Sequence, residues 1–293
     1  MKAEHVEPMR GQVCIDGVLH DAASAQVSVF DRGFLYGDSV FEVLRTYGGK
    51  PFCEREHLER LAQSCRRLLI PITTGPDDWS REIARTVAAS GMPECNVRVM
   101  VTRGVGALGL DLSKAQNPST LVFALPLELP PERFYRDGIR VGLVHVGRAT
   151  DGTSAVGAKT SNYLASVLAL HEVKQRGCDE AIVIGAHGEV VEGATSNVFA
   201  VVRGELFTPP IAAGILAGIT RHTVIAVATQ LGIPVHETQM HPEDLYRADE
   251  VFITSTIREL VPVTRVDDVV IAAGTPGPMA LQLLSGYRAL ARG

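Results

Sequence analysis

The chain carries five lysines, and Lys159 is the one best placed to act as a nucleophilic amine. It lies in Gly157-Ala158-Lys159-Thr160-Ser161-Asn162-Tyr163-Leu164, among small residues. Thr160, Ser161 and Asn162 are all good helix N-caps. Leu164, Val167, Leu168 and Leu170 then approximate an apolar helix face, with Gly177 as a stop. The expectation is an amine just outside a helix N-terminus, where the dipole disfavours an added proton. Partial desolvation would lower its pKa and free a nucleophile. The alternatives are poorer: Lys2 is in the N-terminal tail, Lys50 in a Gly-Gly-Lys-Pro turn, Lys114 in a polar loop and Lys174 near an exposed helix end. Read locally, the plainer account, an ordinary surface lysine beside a cap, is the favoured one.

Other residue types invite the same question. Glu192 interrupts an apolar strand end directly before Gly193-Ala194-Thr195-Ser196-Asn197, and a carboxylate there needs a partner or solvent. Gly214 to Arg221 brings glycines and Thr220 to a helix start, which suits a phosphate as well as an ordinary threonine cap. Thr254-Ser255-Thr256 ends a strand in hydroxyls, fit for a phosphate or a turn. Arg55 begins a helix, where it could complete an anion site or be a solvated charge. Tyr36, Phe41, Glu42 and Arg45 crowd one short stretch, and the plain alternative is aromatic core with Arg45 paired to Glu42. Arg103-Gly104-Val105-Gly106-Ala107-Leu108-Gly109 is formally a G-x-G-x-x-G after a strand. No helix pattern follows it, so a dinucleotide fingerprint is rejected.

The elements that must position these groups alternate strand and helix. Short strands are expected at 12–15, 18–19 and 26–29, and a longer one leads into Gly48-Gly49. Helices are expected from Glu54 to Leu69 and from Asp77 to Ser90, then strands over 96–102 and 121–125. Pro126, Pro130 and Pro131 mark a linker. A strand over 138–144, the helix after Lys159, a strand meander from 181 to 208, a helix from 219 and a strand over 250–256 follow. Of the 293 residues 46% are hydrophobic and 21% charged, which suits a globular chain with a sizeable core. The net charge of −5 argues against nucleic acid or anionic membrane as partner. Five scattered cysteines without a Cys-x-x-Cys pair fit reduced thiols in a cytoplasmic protein. The N-terminus reads as lacking an apolar signal core, and no run approaches a membrane span.

Taken in order, these motifs resemble the fold-type IV (class IV) pyridoxal-phosphate aminotransferases, from about Val13 to Val263. The resemblance implies a mixed α/β (α+β) fold of two domains. A small N-terminal α/β domain (1–125), an interdomain linker (126–137) and a larger C-terminal domain (138–293) with a β-barrel-like sheet and helices are expected. It also implies roles. Lys159 is similar to the lysine that anchors pyridoxal 5'-phosphate and later carries a proton. Glu192 matches the carboxylate on the pyridine nitrogen, and Tyr163 the tyrosine on the phenolic oxygen. Arg55, Ile219, Thr220 and Thr256 match the phosphate ligands. A homodimer or higher homo-oligomer is implied, and no metal.

Among subgroups the chain is most similar to branched-chain aminotransferases, through Arg98 and the Thr-Arg-Gly-x-Gly-x-Leu-Gly-Leu-Asp run. Tyr36, Phe41, Arg98 and Ile257 fall at substrate-pocket positions. The implied substrates are an L-branched-chain amino acid and a 2-oxo acid such as 2-oxoglutarate. D-amino-acid enzymes carry an Arg-x-His trap where this chain has uncharged Val105 to Leu110. Departures from the pattern are Val43 in place of a glycine, Asn96 in place of an aromatic, and Ile257-Arg258 in place of Ala-Ala. Arg258 either binds a second carboxylate or faces solvent. The alternatives are a D-amino-acid or (R)-amine transaminase, an aminodeoxychorismate lyase on the same scaffold, and a non-catalytic binding protein that has kept the fold.

Overall fold

A computed structural model describes residues 9–115, 117–146 and 152–293. The N-terminal tail, with Lys2 and the segment on which the signal-core expectation falls, lies outside these residues. The chain divides into two compact units, residues 1–128 with 158–161, and residues 129–157 with 162–293.

The first unit is an antiparallel sheet under two helices. Its elements are β1 (Gln12–Ile15), β2 (Val18–Asp21), α1 (Arg32–Tyr36), β3 (Ser39–Tyr47), β4 (Lys50–Pro51), α2 (Glu54–Arg67), α3 (Pro76–Ser90), β5 (Cys95–Thr102) and β6 (Ser119–Pro126). The strand order is β2-β1-β6-β5-β3-β4. Alternation along β5 buries Val97, Val99 and Val101, as one covered sheet face requires. Leu58, Leu61 and Cys65 of α2 and Trp79, Ile83 and Val87 of α3 recur at helical spacing and fill the same core.

Two segments differ from the sequence expectation. Residues 26–29 are irregular, with Val27 and Val29 exposed, because alternation supplies strand propensity but no neighbouring strand pairs with them. Residues 32–36 form the short helix α1, capped by the Asp31 side chain on the Gly33 amide and closed by Gly37 in the left-handed region.

The glycine-rich loop after β5 spends its glycines on its own packing. A Cβ at Gly104 would stand 1.9 Å from the Asn117 carbonyl oxygen, and one at Gly106 would stand 2.4 Å from that of Lys114. The small residues serve that close approach.

The second unit contains α4 (Arg133–Arg136), β7 (Ile139–His145), α5 (Leu164–Gln175), β8 (Glu180–Ile184), β9 (Val190–Gly193), β10 (Asn197–Val202), β11 (Glu205–Thr208), α6 (Ile219–Gln230), β12 (Val235–Glu237), α7 (Pro242–Tyr246), β13 (Glu250–Ser255), β14 (Glu259–Val266), β15 (Val269–Val270) and α8 (Pro278–Arg292). Its mixed sheet runs β12-β11-β10-β13-β14-β7-β8-β9, with β15 on β14. Four strands separate β9 from β10, so a flat sheet would hold them about 24 Å apart. Only residues 194–196 join them, a reach of roughly 14 Å. The sheet therefore curls, and Gly193 N–H donates to the Ser196 carbonyl (2.6 Å) to close the turn. This curl delivers the end of β9 to the start of β10.

Helix α8 lies beyond the last motif read from the sequence. The Glu250 carboxylate on β13 accepts from the Met279 and Ala280 amides (2.9 and 2.8 Å) and so caps α8 from a distance. Farther along, Arg288 donates to the buried Glu259 carboxylate at 2.7 Å.

Candidate active site

In the first unit Lys159 does not precede a helix directly. Thr160 is bridged to Val40, which sets residues 158–161 on the edge of β3. Phe41 N–H donates to the Lys159 carbonyl (3.0 Å) and Ser161 N–H to that of Ser39 (3.1 Å). Chain order places these residues after the linker, yet this pairing makes them part of the first unit. The expected caps Thr160, Ser161 and Asn162 are not used: Tyr163 occupies the N-cap of α5 and makes no side-chain cap bond.

The Lys159 Nζ stands 4.7 Å from the centroid of the Phe41 ring, and the Arg98 guanidinium carbon stands 3.8 Å from the same centroid. Strand pairing explains the meeting, since Phe41 and Arg98 lie on neighbouring strands β3 and β5. Beneath them Glu42 is fully buried. Arg60 donates to both of its oxygens at 2.7 Å, and His57 Nδ1 lies 2.7 Å from Oε2. Burial pushes the Glu42 carboxyl up, but the Arg60 charge and hydrogen bonds, with His57, outweigh it and hold the group at about 2. The alternative pairing of Glu42 with Arg45 is not made; the Arg45 guanidinium lies over the Tyr47 ring.

Two further residues expected at the site are engaged locally. The Tyr36 hydroxyl accepts from the Gly109 amide (3.0 Å), which ties α1 to the glycine-rich loop. Arg55, on the first turn of α2, has a side chain 78% exposed and forms ion pairs with Glu56 and Glu59.

In the second unit the sheet curl brings Glu192 to Asn197. Glu192 Oε2 accepts from the Leu216 amide (3.0 Å) and from Asn197 Nδ2 (3.4 Å), and Asn197 also donates to the Leu216 carbonyl (3.1 Å). The segment leading into α6 is thereby fixed against β9 and β10. Gly218, the N-cap of α6, provides no side-chain cap, so the first-turn amides of Ile219 and buried Thr220 lack one. A Cβ at Gly218 would fall 1.9 Å from Asn197 Oδ1, so only glycine keeps that approach. Ser196 Oγ and Thr254 Oγ1 are buried and have no hydrogen-bond partner among the described residues.

Thr256, Ile257 and Arg258 form the turn between β13 and β14. Arg258 does not simply face solvent. It donates to the buried Glu180 carboxylate (2.5 Å), to Thr195 Oγ1 (2.8 Å) and to Ser255 Oγ (3.1 Å). Tyr163 is half-buried at the start of α5.

This donor set fits pyridoxal phosphate. Uncapped helix amides and buried unpaired hydroxyls in the same unit suit a phosphate, and an oriented carboxylate suits a protonated ring nitrogen. Sequence reasoning missed Asn197, Gly218 and the Glu42–His57–Arg60 cluster. The signals were present, because Asn197 lies inside the Glu192 motif, and His57 and Arg60 recur at helical spacing after Arg55.

Residues 39–266 match the family model described as amino-transferase class IV. The chain is 39% identical over 277 residues to a putative branched-chain-amino-acid aminotransferase of Methanocaldococcus jannaschii, covering 94% of this chain and 95% of that one. It is 33% identical over 282 residues to a D-alanine aminotransferase of Listeria monocytogenes, covering 93% of both. Its fold is similar to that of the branched-chain aminotransferase of the thermophilic archaeon Thermoproteus uzoniensis with norvaline, with a TM-score of 0.88, 34% identity and coverage of 96% and 95%.

Proposed function

The chain belongs to the class IV aminotransferases, enzymes that work with pyridoxal phosphate, and from that premise we propose that it moves the amino group of an L-branched-chain amino acid to a 2-oxo acid such as 2-oxoglutarate, in ping-pong order. The observation that carries the substrate class is the grouping around Phe41. An amine, an apolar wall and a guanidinium gather within the first unit. Such a set suits an amino acid with an apolar side chain and a carboxylate. The names of the Methanocaldococcus jannaschii and Thermoproteus uzoniensis relatives, and the norvaline in the latter, support the same class.

When bound, pyridoxal phosphate supplies an electron sink for the substrate's α-carbon. Lys159 Nζ would hold the cofactor and would carry a proton at that carbon. The Glu192 carboxylate, oriented by the Leu216 amide and Asn197, keeps the ring nitrogen protonated. Tyr163 serves the phenolic oxygen, and Arg55, Ile219, Thr220 and Thr256 the phosphate. Phe41 and Arg98, with Tyr36 and Ile257, contact the substrate.

The identity to a D-alanine aminotransferase supports a D-amino-acid reading, but the loop from Val105 to Leu110 offers no charge for a carboxylate. A panel of half-reactions followed by cofactor absorbance separates the readings. L-leucine and L-valine should react fastest. Faster turnover of D-alanine or an (R)-amine refutes the proposal, as does pyruvate released from aminodeoxychorismate with no acceptor present.

A homodimer or higher homo-oligomer in the cytoplasm completes the reading. The α5 stripe of Leu164, Val167 and Leu168, expected to face the unit's own core, is 71%, 58% and 59% exposed, while Ala169 and Val173 are buried instead. Apolar stripes of this kind mark association surfaces. Light scattering that gives the 31.4 kDa of one chain would refute assembly. No described helix is long and apolar enough to cross a membrane.

A further inference from the structure

Residues 158–161 are held to β3 by the two backbone hydrogen bonds of a single bridge, a slender attachment for a reacting side chain. The Lys159 carbonyl is engaged by Phe41 on β3. Its N–H turns instead to α2, donating to the Ser64 hydroxyl at 3.1 Å. Ser64 is 1% exposed, so the acceptor end of this bond lies in the core, while Lys159 is half-buried. Along α2, His57, Arg60 and Ser64 lie on one face, at helical spacing. The first two grip Glu42, the neighbour of Phe41 in β3. The backbone of Lys159 is thus held from two elements, and buried Glu42 locks those two elements to each other.

We propose that Ser64 is a positioning residue for Lys159: its hydroxyl, placed by the Glu42–Arg60–His57 cluster, orients the peptide from which the amine projects. The inference rests on reading Lys159 as the covalent anchor of the cofactor. Without the hydroxyl the half-buried N–H loses its partner on α2, and the segment shifts to find another. The amine then samples positions away from the cofactor carbonyl, and a misplacement near 1 Å is enough to slow a bond-forming step about a hundredfold.

The test compares the full-length protein with Ser64→Ala and Ser64→Thr after stripping and reloading with pyridoxal phosphate. Covalent attachment is timed by the visible absorbance change. Borohydride reduction and peptide mass spectrometry identify the lysine. Amide exchange at Lys159 and Phe41 is measured in the same samples. Ser64→Ala should attach the cofactor at least tenfold more slowly and lower kcat with little change in KM for the amino acid. Its Lys159 amide should exchange at least tenfold faster while Phe41 stays protected. Ser64→Thr, which keeps the hydroxyl, should restore the attachment rate. A wild-type Lys159 amide without protection overturns the proposal, whatever the variants do. Equal attachment rates with Lys159 labelled overturn the role of Ser64 alone. A label on another lysine overturns the anchor assignment and this inference with it.

Discussion

Replacing Glu42 with glutamine removes one negative charge from a place that water does not reach. Glu42 is 0% exposed and Arg60 8%. The wild-type carboxyl titrates at about 2 rather than its ordinary 4.5, a difference that corresponds to about 3 kcal/mol of linkage. Because the folded pKa is depressed, this stabilisation is present above pH 4.5 and is lost as the pH falls towards 2. His57 adds an earlier acid sensitivity. Burial, with the Arg60 and Lys159 charges, lowers its pKa below 6.5 against the pull of Glu42. The folded imidazole stays neutral while the unfolded one takes a proton, so stability erodes from about pH 6.5 downward.

In Glu42→Gln the Arg60 guanidinium remains buried against a neutral amide, a loss on the order of 3–5 kcal/mol. Urea unfolding followed by fluorescence measures it cleanly. The chain has one tryptophan, Trp79, packed in the same core as Leu58 and Leu61 of α2, so the signal reports the unit that carries the cluster. The double variant Glu42→Leu with Arg60→Met should recover most of the loss, because no charge is left stranded. A single-variant loss below about 1 kcal/mol, or a double variant as unstable as the sum of the singles, refutes the account.

Gly218→Ala should push Asn197 off Glu192 and the Leu216 carbonyl. The hydrogen bonds lost correspond to roughly ten- to a hundredfold weaker binding of pyridoxal phosphate, read by equilibrium titration. Unchanged affinity would show that Asn197 does not orient the carboxylate. Glu250→Ala removes both acceptors at the start of α8 and should cost about 1–2 kcal/mol. Amide exchange should then show α8 opening ahead of the sheet, and unaltered protection there would exclude the capping role.

Local chemistry was legible wherever a short window carries the information. The spacing of Leu58, Leu61 and Cys65 declares α2, and the alternation of residues 96–102 declares β5. The glycine-rich loop has no helix pattern after it, which is why its spacing does not read as a dinucleotide site. Lys159 and Glu192 stood out by residue type and setting. Residues 26–29 show the limit of the same reasoning, since alternation proposes a strand but cannot provide the strand it pairs with.

What the sequence by itself determined is the inventory: an amine, a carboxylate, a glycine-led helix start and the periodic elements that carry them, all set by contacts between residues a few positions apart. Tertiary structure alone decided the geometry. It placed Lys159 on the edge of β3 instead of at a helix cap, because the partner strand lies more than a hundred residues earlier. It gave Arg258 to Glu180, left the α5 stripe exposed, and curled a sheet so that Glu192 meets Asn197 across four intervening strands. The Val40–Thr160 bridge and the Arg258–Glu180 ion pair join residues far apart in the chain, and their free energy depends on what the whole fold buries, which no local pattern carries.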